Sequence, residues 1–158
     1  MKTVNVYQFE ELSDEAKQVA IRDNAEINVH YDWWDCTYET WSEMGVRIDS
    51  FDLYRQHVGI NFLYDYEDVA QSILSFFGED NDTYAFAKEY LQELGKLDEE
   101  SEDYDLDKEA IEEEFYMEIE NTIFNWLRTE YDWLVSDEAI AETLEVNEYE
   151  FLETGKRI

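Results

Sequence analysis

The stretch from Asp98 to Leu134 constrains the chain most. It reads as one long helix that can bury only part of its circumference. An acid-rich lead, Asp98 to Asp107, runs into it. At 100° per residue, Ile111, Phe115, Ile119, Thr122 and Trp126 fall on one stripe, with Ile123 and Leu127 beside it. Glu109, Glu113 and Glu120 share a second ridge, and Asp107, Glu114 and Glu118 a third. The chain must therefore supply partners for one face of this helix and leave two rows of carboxylates outside. Met117 and Phe124 lie between the acid rows. They call for packing on a second side, or for pairing of the helix with its copy in a homodimer.

Charge is the second constraint. The chain has 158 residues and a formal net charge of −31. Such a balance favours disorder, but a 44% hydrophobic and 16% aromatic content opposes it. Disordered acidic chains lack the apolar groups that offset chain entropy. A small soluble domain usually carries a net charge of roughly 2–8 in magnitude, and like charge in excess costs stability. Either a salty environment or a working surface must explain the excess. An acidic surface repels nucleic acid and anionic membranes, and attracts basic grooves. A lone cysteine, Cys36, excludes an internal disulfide framework. The N-terminal residues turn polar at once, and no apolar run approaches the roughly 20 residues that span a bilayer. The expected location is the cytoplasm.

The remaining elements are short. Thr3 to Gln8 alternates, with Val4 and Val6 on one face, and predicts a first strand. Ser13 predicts an N-cap, with Ala16, Val19, Ala20 and Ile27 on the inner stripe of the helix it starts. Asp32 is the candidate cap of a second helix through Trp34, Tyr38, Trp41 and Met44, stopped at Gly45. Val46, Ile48, Phe51 and Leu53 slip by one residue, as at a bulge, and Val58 to Tyr64 alternates cleanly, so a hairpin turns at Arg55-Gln56. Two more helices run from Asp65 to Gly78 and from Asp82 or Thr83 to Gly95. After the long helix, Ser136 caps a sixth, and Glu148 to Glu153 reads as a last strand. The class is α+β. A small, mainly antiparallel sheet of N-terminal strand, central hairpin and C-terminal strand is covered by about six helices. With no proline and no repeat, residues 1–158 read as a single acidic domain, and 96–107 as a loop free to move within it.

The residues offer little for catalysis. His30 and His57 stand in no recognisable motif, and no glycine-rich phosphate loop is present. Asp103, Asp105, Asp107 and Glu114 copy part of a calcium-binding loop, but Lys108 replaces the glycine its turn requires. No metal, cofactor or enzymatic activity is expected. The acid ridges carry the functional expectation instead. Duplex DNA presents one charge per about 3.4 Å on each strand. Carboxylates at i,i+4 on a helix lie about 6 Å apart. Asp103, Asp105, Asp107, Glu109, Glu113, Glu114, Glu118 and Glu120 can thus meet the arginines and lysines that hold a phosphate backbone.

Three segments resemble a known group. They are Val6 to Lys17 (VYQFEELSDEAK), Met44 to Leu53 (MGVRIDSFDL), and Ser136 to Ile140 with Asn147 to Phe151 and Thr154 to Arg157. Together they are similar to small acidic proteins encoded by bacteriophages and mobile elements, a group without settled activity or catalytic residues. The resemblance implies a phage setting and assigns no site. In composition, the chain is also similar to phage DNA-mimic anti-restriction and anti-CRISPR proteins. The expected function is a non-enzymatic mimic that fills the basic DNA or RNA groove of a host defence protein and inhibits it, without binding nucleic acid or membrane itself. The alternative is a regulatory or antitoxin-like interaction protein whose acidity serves solubility or salt adaptation.

Overall fold

A computed structural model describes residues 3–158. Its elements are β1 (Tyr7–Gln8), a 3-10 turn (Phe9–Glu11), α1 (Asp14–Asp23), α2 (Asp35–Glu43), β2 (Val46–Asp52), β3 (His57–Phe62), α3 (Tyr66–Phe76), α4 (Asp82–Gly95), α5 (Tyr104–Leu134), α6 (Asp137–Val146) and β4 (Glu150–Phe151). The α+β class and the order of elements are those read from the sequence. The strands pair as two separate antiparallel ribbons, β1 with β4 and β2 with β3. Contacts group the chain into two compact units. One is Met1–Trp33 with Thr129–Ile158, the other Trp34–Arg128.

In the first unit, Phe9, Leu12, Ala16, Ala20, Ile21, Ile140, Leu144 and Phe151 form a buried core. Phe9 meets Phe151 edge to face at 6.1 Å. Ser13 and Ser136 cap α1 and α6, each accepting from the backbone N–H three residues on at 3.2 Å. Each such cap is worth about 1 kcal/mol. Asn28 is buried and satisfied on both sides. Its amide donates to the Leu134 carbonyl at 2.9 Å, and its oxygen accepts from Thr143 at 2.7 Å. The first strand is shorter than predicted. Only Tyr7 and Gln8 find partners, in Phe151 and Glu150, and Val4 and Val6 are exposed.

In the second unit, β2 and β3 pair from Val46↔Phe62 to Asp52↔His57, with a register shift between Ile48 and Ser50. This is the predicted bulge. It turns Asp49 outward, where its carboxylate accepts from Arg47 at 2.8 Å and from Asn61. The buried line of α5 is Phe115, Ile119, Ile123 and Leu127, a strict i,i+4 row. Ile111, Thr122 and Trp126, placed by periodicity on the central stripe, are only half-buried. Burying each fully enclosed aliphatic side chain contributes about 1.5–3 kcal/mol. Aromatic rings close the rest of the core: Trp126 against Trp41 at 5.5 Å, and Tyr90 stacked on Phe115 at 4.4 Å. Tyr116 donates to the Ile60 carbonyl at 2.6 Å, and Arg128 donates to the Leu53 carbonyl.

Helix starts show two further differences. α2 begins at Asp35 rather than behind an Asp32 cap, with Trp34 at the cap position packed on Phe51 at 5.5 Å. No side chain caps this end by a hydrogen bond, and the ring contact fixes where the helix starts instead. α5 begins at Tyr104, so the acid-rich loop ends at Asp103, and Asp105 and Asp107 already lie in the helix.

Candidate functional site

The predicted carboxylates fall on α5 and the turn before it. Asp103 precedes the helix, and its carbonyl accepts the Asp107 N–H at 2.9 Å. Asp105 and Asp107 occupy the first turn, where negative charge suits the helix dipole. Asp103, Asp105, Asp107, Glu109, Glu113, Glu114 and Glu118 are exposed, and Glu120 is half-buried. Measured around the helix from the Ile119 line, Glu109, Glu113 and Glu120 lie about 80–120° to one side, and Asp107, Glu114 and Glu118 about 100–140° to the other. The two ridges thus border one outward face, with exposed Met117 near its middle. Phe124, by contrast, is half-buried and lies beneath the Arg128 guanidinium at 5.5 Å. Asp103 and Asp105 belong to neither ridge.

Each ridge has its own surroundings. Glu114 and Glu118 line a groove of about 190 Å³ with Glu89 and Glu93 of α4, over a floor that includes Phe86 and Phe115. On the other side, Glu120 stands close enough to Tyr116 to hold its phenol, already raised by burial, further above the ordinary range. A second acidic recess, of about 430 Å³, joins Asp65, Tyr66, Glu67 and Asp68 at the start of α3 to Tyr90, Lys108 and Glu112. Burial chiefly, and then Glu112 and Glu67, push the Tyr90 phenol well up.

The charge is largely uncompensated. No carboxylate among the described residues is buried. Ion pairs among the described residues include Arg22–Asp23 at 3.6 Å, Arg47–Asp49 at 2.8 Å, Arg55–Asp52 at 3.7 Å and Lys108–Glu112 at 3.9 Å. None of these touches the eight predicted residues. Asp98 to Glu120 holds 13 of the 42 acids beside one cation, Lys108, so acid is densest along this segment of the sequence. It is not confined there, because Glu138, Glu142 and Glu145 form another exposed row on α6.

Sequence reasoning named neither Glu89 and Glu93 nor Glu112 with the α3 acids. The i,i+4 spacing of Glu89 and Glu93 was a visible signal. That they face Glu114 and Glu118 depends on how α4 meets α5, which spacing does not carry. Among the described residues no group of three or more His, Cys, Asp and Glu side chains is arranged to hold a metal ion. For the calcium-loop likeness the reason is plain: Asp105 and Asp107 sit in helix, where successive side chains diverge instead of converging. Nor is any helix long and apolar enough to cross a membrane.

No family model matches the chain, and no curated protein and no solved structure matches it.

Proposed function

We propose that the chain is a phage-encoded, non-enzymatic mimic of nucleic acid that occupies the basic DNA- or RNA-binding groove of a host defence protein and inhibits it. The observation that carries this reading is the pair of uncompensated carboxylate ridges bordering one face of α5. Their spacing supports it. Glu114 to Glu118 spans about 6 Å of helix rise, close to two phosphate steps of a DNA strand. Glu113 to Glu120 and Asp107 to Glu114 each span about 10.5 Å, close to three. An arginine row that grips a phosphate backbone would find carboxylates at similar intervals, and could hold them by paired N–H···O contacts. Long-range attraction would speed the encounter and make it sensitive to salt.

The test is capture of a cationic nucleic-acid-binding protein from host lysate on the immobilised chain. Binding is expected at low ionic strength, with release as salt rises. A variant with Glu109, Glu113, Glu114 and Glu118 all replaced by Lys should lose the capture and keep its helical circular dichroism. Unchanged capture by that variant overturns the proposal.

One observation favours the second reading, a regulatory or antitoxin-like partner protein. Tyr64 and Phe76 are 49% and 51% exposed on the lining of a groove of about 620 Å³ beside α3. A partner held there would resist salt, so the same elution separates the two readings.

A further inference from the structure

The recess between α3, α4 and α5 differs from the rest of the acidic surface. It contains a buried polar atom without a partner. Tyr90 is 4% exposed, its ring stacks on Phe115, and its hydroxyl makes no hydrogen bond. Tyr90 lines the recess together with Glu112 and Glu67, the two carboxylates that act on its phenol. Leaving a buried hydroxyl unpaired is costly, and a ligand able to satisfy it would recover that cost.

The lining states what such a ligand must be. Four carboxylates, Asp65, Glu67, Asp68 and Glu112, face one ammonium, Lys108. Lys108 is 3.9 Å from Glu112, longer than the ~2.7–2.9 Å of a charge-assisted hydrogen bond, so it neutralises the lining only loosely. A cation is required. A compact ammonium has three donors and strong hydration. A guanidinium has five donors in one plane, sheds water more readily and lies well against an aromatic ring, here Tyr66. It can serve two carboxylates and a phenol oxygen while its plane lies on the ring, whereas an ammonium must give up more hydration to make the same three bonds.

We propose that this recess receives the guanidinium of one arginine side chain of the partner, with Glu67 and Glu112 accepting its N–H groups and Tyr90 Oη accepting another. The source of the arginine rests on the reading of a basic protein partner given above, but the recognition itself does not involve the α5 ridges.

The experiment titrates the full chain with N-acetylarginine amide, N-acetyllysine amide, N-acetylcitrulline amide and free arginine, followed by amide shifts in two-dimensional NMR. Shifts are expected around residues 65–68, 90 and 108–112 with the arginine amide, and binding at least about 5-fold weaker with the lysine and citrulline amides. Tyr90→Phe keeps the ring on Phe115 and should weaken arginine-amide binding about 10-fold, as loss of a hydrogen bond to a charged group implies. Lys108→Gln removes the competing cation and should tighten binding by up to about 5-fold, which provides a check should Tyr90→Phe unfold. Equal affinity for the arginine and lysine amides, shifts located elsewhere, or wild-type affinity in Tyr90→Phe would each overturn the assignment. Tighter binding of free arginine than of the blocked amide would overturn the protein-borne source. A variant with only Glu114 and Glu118 replaced by Gln, on the ridge that borders the α4 groove instead, should bind the arginine amide as the parent chain does. If capture of a cationic protein fails while these shifts remain, the mimic reading falls and the recess stands. If capture persists in Tyr90→Phe and the shifts are absent, the recess falls alone.

Discussion

At Gly155 the backbone has φ +95°, and a Cβ there would overlap the Ala16 carbonyl. Gly95 sits at the end of α4 with open space where a Cβ would go. Opposite outcomes follow for one chemical change. Gly155→Ala should destabilise by more than about 1 kcal/mol, because left-handed backbone and a clash add. Gly95→Ala should stabilise by about 0.5–1 kcal/mol, because helical backbone there gains from a side chain. Urea unfolding of the two variants measures both. The tyrosines provide a second residue-scale prediction. Burial first and nearby carboxylates second hold the phenols of Tyr90, Tyr116, Tyr66 and Tyr38 above the ordinary 10.0. The unfolded chain then releases these protons at lower pH than the folded one. Their contribution to stability is complete below about pH 10 and is lost as pH rises through the folded values. Urea midpoints should fall above pH 10, in step with tyrosinate absorbance, and less steeply in Tyr90→Phe. At this scale the sequence was legible where a residue acts on its near neighbours: Ser13 and Ser136 as caps, Gly45 with φ +87° as a stop, and the one-residue slip at Asp49.

For α5, periodicity located an apolar face but not the line that is buried. Residues i and i+4 drift by about 40° per step on a straight helix, so Phe115–Ile119–Ile123–Leu127 and Ile111–Phe115–Ile119–Trp126 are both plausible seams. Which one is enclosed depends on the ridges of the elements laid against it. The structure encloses the first. Ile119→Ala should therefore cost about 2–5 kcal/mol, and Met117→Ala, on the outward face, no more than about 0.5 kcal/mol. Thermal midpoints of the two variants check the ranking. The start of α2 carries the same lesson. Asp32 had the right chemistry for a cap, but the packing of Trp34 on Phe51 sets the first turn two residues later.

For the molecule as a whole, a net charge of −31, with no carboxylate buried among the described residues, means repulsion between exposed like charges. Screening should relieve it. The Debye length falls from about 30 Å at 0.01 M salt to about 10 Å at 0.1 M. The thermal midpoint should rise by several degrees over that interval, and calorimetry in sodium chloride at the two concentrations measures it. A flat response would show that the carboxylates are too far apart, or too well hydrated, to oppose folding. The same screening weakens attraction to a basic groove, so stability and partner capture should move in opposite directions with salt.

The amino-acid sequence by itself determined the α+β class, the order of the elements, most of their caps and turns, and the carriage of exposed acid along α5. Each of these follows from hydrogen bonds and side-chain periodicity within a few residues, which neighbours in the chain settle among themselves. Only the tertiary structure decided that four strands form two ribbons, that Glu89 and Glu93 share a groove with Glu114 and Glu118, and that Tyr90 lines a recess with acids of α3 and α5. Those are meetings of residues tens of positions apart. They are selected by which faces pack most closely in three dimensions, and no local spacing encodes that choice.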